Sequence, residues 1–202
     1  MSVIRSADII ARLLGRQSLP PLSPQHAWHP GLARDIADLP LETIAGNLPD
    51  GKLSAPAWKA ALHLWNDDLE AAHELVQELH SATGSALHGI VHRREGDYDN
   101  ARYWFVRAGD HPAYHGLQSR AALLLAGEQM PAGQIGQALK AMHGQGSWNP
   151  SLLTNTIEIH ETRTNRDDDA VRHLLEQLQQ LELEAMLRFI GSRIDAGDDV
   201  RL

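Results

Sequence analysis

Residues 85–112, SALHGIVHRREGDYDNARYWFVRAGDHP, decide how this chain is read. The segment carries His88, His92 and His111, four arginines and the trio Tyr103, Trp104 and Phe105 in two runs parted by Gly96-Asp97. A glycine past the end of a helical pattern suits the left-handed backbone that closes a helix, and an aspartate after it caps the next one. The spacing therefore predicts two helices joined by a tight turn. At about 100° per residue, His88, His92 and Glu95 fall within an arc of about 60° on the first of them, so these three side chains share one face.

Working outward, helical periodicity continues on both sides and no alternating strand pattern interrupts it. Upstream, Ser54 is the expected cap of a helix with Pro56 in its first turn, running through APAWKAALHLW. Asn66 or Asp67 then opens a helix with the stripe Leu69, Ala72, Leu75, Val76 and Leu79, and Gly84 is read as the break before the His88 helix. Downstream, helices are expected near 114–125, 132–142 and 151–161, with a long final helix over 168–194. At the other end, Ile9, Ile10, Leu13 and Leu14 form a short amphipathic helix interrupted by charge, unlike a secretory leader. Prolines at 20, 21, 24 and 30 predict an extended connection pinned by Trp28, followed by short helices over 32–38 and 41–45. The expected fold is all-α, a single domain over 1–202. An N-terminal arm (1–50) leads into central antiparallel helical hairpins (54–127), and C-terminal helices (131–202) cap them with a long last helix.

The pattern Gly96-x-Tyr98-x-x-Ala101-x-x-x-Phe105-x-x-Ala108, then Pro112, resembles the second half of a tetratricopeptide repeat. In that family small residues let two helices approach and an aromatic fills the gap between hairpins. An echo lies at residues 68–72, DLEAA, and the resemblance spans residues 55–127. It implies a TPR-like α–α arrangement and a concave surface for protein partners. The string HGIVHRREGDYDNARYWFVRAGDHP, with the upstream LWNDDLEAAHELVQ, also resembles the centre of a family of small bacterial and fungal proteins of unassigned activity. That resemblance implies a helical fold and carries no mechanism.

Composition narrows the function classes. The 202 residues suffice for one substantial core, and 43% hydrophobic with 22% charged residues is ordinary globular usage. A formal charge of -8 argues against a phosphate-backbone partner, so no nucleic acid is expected. No apolar run is long enough to span a bilayer, so no membrane partner is expected either. The absence of cysteine removes disulfides, thiol nucleophiles and thiolate metal sites, and fits a cytoplasmic setting. Protonating all 12 histidines would carry the charge from -8 to +4.

Three readings of the central segment stay open. In the first, His88, His92, Glu95, Arg94, Trp104, His111, Asn100 and Tyr103 line a pocket for a small polar or anionic ligand or a peptide end. The basic groups would supply charge and the aromatics flat walls. In the second, His88, His92 and Glu95 ligate a divalent metal, zinc, manganese or iron, in a hydrolase-like enzyme with His111 or Asp67 as general base. The spacing is not that of an H-E-x-x-H metalloprotease. In the third, the hairpins are a protein-interaction scaffold. His73 and His80, seven apart, can point at the His88 helix, and a ligand role for Glu182 is open. Asp167, Asp168 and Asp169 lack calcium-loop spacing and read as an acidic helix start. No nucleophile elbow, phosphate loop or dinucleotide fingerprint occurs.

Overall fold

The structure is a computed structural model that describes residues 6–46, 49–162 and 169–194. In chain order the α-helices are α1 (Ser6–Leu14), α2 (Pro30–Ala37), α3 (Leu41–Ala45), α4 (Gly51–Trp65), α5 (Leu69–Val76) and α6 (Ala82–Glu95). They continue with α7 (Tyr98–Ala108), a 3-10 turn at Pro112–Tyr114, α8 (Leu117–Ala126), α9 (Gly133–His143), α10 (Pro150–Glu161) and α11 (Asp169–Gly191). No strand occurs among the described residues, as the sequence predicts. Nor is any of these helices long and apolar enough to cross a membrane.

α6 is the centre of the packing. It is covered by α5, α7 and α4, and every residue from Gly84 to Arg94 is buried. α11 lies across α4, the 3-10 turn, α8 and α10, and closes the core with Leu175, Leu178, Met186 and Ile190. The apolar stripe predicted for α5 does face inward: Ala72 and Val76 are buried, and Leu69, Leu75 and Leu79 pack against the core.

The expected boundary signals hold in places and fail in others. Gly96 is left-handed at φ 84°, and the Asp97 side chain accepts from the Asn100 amide at 3.3 Å, as the turn chemistry requires. Ser54 does not cap α4. The helix already starts at Gly51, and the Ser54 amide donates to the Asp50 carbonyl at 3.0 Å, so Pro56 lies inside it. Gly84 does not end a helix either. Ser81 caps α6, its hydroxyl accepting from the Gly84 amide at 3.0 Å, and Gly84 lies in the first turn, where a Cβ would come within 2.3 Å of the Leu79 carbonyl oxygen. The glycine is there for close approach. α5 is also shorter than its stripe, and His80 lies outside it and is exposed.

The proline-rich connection is non-helical from Gly15 to His29, and the Trp28 ring lies against the Arg16 guanidinium, 5.0 Å from the ring centroid. Trp28 is 37% exposed, and its amide ties the connection to the end of α4, donating to the Asn66 carbonyl at 2.8 Å. The expected acidic helix start is Asp169; Asp167 and Asp168 lie outside the described residues.

Between α6 and α7 the closest approach is at Gly89, where a Cβ would come within 2.7 Å of the Phe105 ring. Gly89→Ala gains helix propensity of about 1 kcal/mol yet forces that ring aside, at a cost of about 1–3 kcal/mol. Urea unfolding is expected to show net destabilisation for Gly89→Ala, and a smaller effect of the same change in a Phe105→Leu background.

Candidate functional site

The shared face of α6 meets α5 on one side and α7 on the other. From α5, His73 Nδ1 lies 2.9 Å from Glu95 Oε1, and His73 Nε2 lies 3.2 Å from His88 Nε2. Glu95 Oε2 reaches to 3.2 Å from His92 Nδ1, at ion-pair distance without hydrogen-bond geometry. From α7, the Asn100 amide nitrogen lies 3.1 Å from His92 Nε2. One carboxylate thus faces two imidazoles, and a third imidazole faces one of those.

The hydrogen-bond chemistry assigns the ring protons. An amide nitrogen only donates, so His92 Nε2 accepts and His92 carries its proton on Nδ1, toward Glu95. A carboxylate only accepts, so His73 carries a proton on Nδ1 toward Glu95, and its Nε2 is the atom that faces His88. One nitrogen donor atom from each of His73, His88 and His92 lies within 4.8 Å of the other two.

The rings also stack. His88 lies between His92, at a centroid distance of 4.7 Å and 13° from parallel, and Trp104, at 4.0 Å and 17°. Tyr103 meets the edge of Trp104 and is 54% exposed, with Arg107 over both rings. Burial, followed by the neighbouring His92 and His73, pushes the His88 imidazole down to about 4. Burial also lowers His92, against the opposing pull of Glu95. Both rings are therefore neutral at physiological pH. His88 and His92 are almost fully buried, while the His73 and Glu95 side chains are 27% and 30% exposed, so the cluster opens to solvent along the α5 side.

The structure thus brings together His88, His92, Glu95, Trp104 and Asn100 of the expected set and adds His73, with Tyr103 at the edge. It does not bring in Arg94, whose fully buried guanidinium pairs with Asp67 and donates to the carbonyls of Leu64 and Pro21, at 2.6 and 3.2 Å. Asp67 is no general base for this cluster. Both its oxygens are taken, one by Arg94 and one by Arg16 at 2.7 Å, and its backbone is held at φ 60°. Glu182 is buried against Arg93 and accepts from the Trp148 indole at 2.9 Å, which leaves it no ligand role at the histidines. His111 is also elsewhere: its Nδ1 accepts from the Ala113 amide at 3.2 Å, and its Nε2 lies 3.0 Å from Thr83 Oγ1. Where a pocket is expected, the rings of His73, His88, His92 and Trp104 meet one another at centroid distances of 4.0 to 5.0 Å.

The chain matches no protein-family model, no curated protein and no solved structure. The site is accordingly read from its own geometry.

His111 is 1% exposed and is pushed down to about 4 by burial, then by Arg193 and His115. The unfolded chain takes up this proton near pH 6.5 and the folded chain does not until about pH 4, so stability falls as pH drops through that window. For this group the loss between pH 7 and pH 5 is about 2 kcal/mol. Urea titrations at the two pH values are expected to show a drop smaller by that amount in His111→Gln than in the parent chain.

Proposed function

We propose that the protein binds a divalent transition-metal ion, zinc foremost, through His73, His88 and His92, with Glu95 as the carboxylate that orients two of the imidazoles. The observation that carries this reading is the convergence of three imidazole nitrogens, from two helices, within 4.8 Å. Two of them, on His73 and His88, are 3.2 Å apart, close to the edge of a tetrahedron whose metal–nitrogen bonds are about 2.0–2.1 Å. The His73–Glu95 contact has the form of the carboxylate–histidine–metal arrangement, in which the carboxylate fixes the tautomer and leaves the other nitrogen for the metal. To complete the set, His92 exchanges its Asn100 contact for the ion.

A set of imidazole ligands favours zinc, copper, nickel or iron over magnesium or calcium. A three-histidine set leaves a fourth position for water or for a small anionic or hydroxylated ligand, with Trp104 as the adjacent wall. Water in that position is the basis of metal-assisted hydrolysis, which keeps the hydrolase-like reading as the chemistry such a centre supports. The close packing of Gly89 on Phe105, with Ala101 buried, supports the tetratricopeptide-like reading of residues 55–127 as the frame of this site.

Tag-free protein stripped with chelator and titrated with zinc is expected to bind one equivalent and to gain thermal stability. Glu95→Gln should weaken binding about 10–100-fold, the range found when the outer partner of a ligating histidine is removed. His88→Ala with His92→Ala should abolish it while circular dichroism stays helical. The absence of stoichiometric binding of zinc, iron, copper, nickel or manganese by the parent chain would overturn the reading.

A further inference from the structure

A cleft with both charged and apolar lining lies at the other end of α6, where the N-termini of α4 and α6 meet the end of α11. It encloses about 190 Å³ and is lined by Asp50, Ser54, Ser81, Thr83, Phe189 and Arg193, with Leu53, Ala57 and Ile190 filling the apolar remainder. Its charged side chains are one acid and one base, and they do not pair with each other. Asp50 precedes α4 without capping it and has no ion-pair partner among the described residues. The Arg193 guanidinium lies over the Phe189 ring, 3.6 Å from its centroid, and donates to the Phe189 carbonyl at 3.0 Å, again with no carboxylate partner among the described residues.

The Thr83 hydroxyl that lines the same cleft has a fixed polarity. His111 Nδ1 accepts from the Ala113 amide, so the neutral ring carries its proton on Nε2 and donates it to Thr83 Oγ1 at 3.0 Å. The Thr83 hydroxyl proton is thereby released to donate elsewhere, and Ser81 is in the same position, its oxygen already accepting from the Gly84 amide. The cleft accordingly presents one acceptor-only group, Asp50, and a set of donors, Arg193, Thr83 and Ser81. Its volume is well below the roughly 300–1,000 Å³ of sites for drug-sized ligands.

From this arrangement we infer that the cleft binds a small zwitterion, a free α-amino acid, with its ammonium at Asp50 and its carboxylate at Arg193 and Thr83. His111 acts as a positioning residue that holds the Thr83 hydroxyl in its donating orientation. The site is separate from the histidine cluster and does not depend on a metal there.

The test is calorimetric titration and thermal shift of the full chain with the twenty standard amino acids singly at millimolar concentration. Acetate and methylamine serve as half-ligands, and glycylglycine as a zwitterion of longer charge separation. At least one amino acid is expected to bind with unit stoichiometry while neither half-ligand does. Asp50→Asn and Arg193→Gln should each lower affinity about tenfold or more, as loss of a hydrogen bond to a charged group does. Both residues lie at helix ends, and circular dichroism checks that the variants fold. Binding should persist in His88→Ala with His92→Ala, which separates this site from the metal centre. No binding of any amino acid, binding unchanged in both cleft variants, or binding of glycylglycine alone would each overturn the assignment.

Discussion

Arg93 and Arg94 are adjacent on α6 and wholly buried, and a guanidinium does not relieve its burial by losing its proton. Each has to be met by an acceptor at its own end. Four successive residues, His92 to Glu95, point about 100° apart around the helix, so the two arginines reach in different directions. Arg93 meets Glu182 on α11, and Arg94 meets Asp67 in the turn between α4 and α5. Turning α6 by one residue would unpair both charges, and one uncompensated buried charge costs about 3–5 kcal/mol. The rotational setting of the helix is therefore electrostatic as much as hydrophobic. With those two directions taken, His88, His92 and Glu95 are left to face α5 and α7.

The N-terminal connection completes this arrangement. Extended backbone exposes carbonyls that a helix would consume, and proline has no amide to compete for them. The carbonyls of Pro20 and Pro21 accept from Gln179, that of Pro21 also from Arg94, and that of Leu19 from Arg16. The segment thus takes the place of water around buried cations. Asp67, in left-handed backbone that non-glycine residues seldom adopt, is held there by Arg16 and Arg94 together.

What the sequence made legible was what is local in it. The helical period, the Gly96-Asp97 turn and the common face of His88, His92 and Glu95 all follow from spacing within a few residues. The ion pairs do not, since Glu182 lies 89 positions from Arg93, and in sequence Arg93 and Arg94 look like a basic helix end open to a ligand. In sequence, Gly84 is equally a helix breaker or a point of contact, and only the Leu79 carbonyl beside it decides between them. His73 was visible as a residue able to point at the His88 helix. Its place beside Glu95 depends on how α5 docks, which periodicity does not encode.

The displacement of His111 follows from hairpin geometry. α7 runs back along α6 for 11 residues, about 16 Å, so the turn that follows it lies beside the start of α6 and not beside the Gly96 turn. There His111 meets Thr83, which is five residues before His88: about 7.5 Å along the axis and about 140° around it. A loop histidine near the histidine face in sequence is thus carried to the opposite end of the same helix. The two polar regions share one rigid element without sharing a ligand, and the buried arginines that fix the rotation of α6 fix both of them at once.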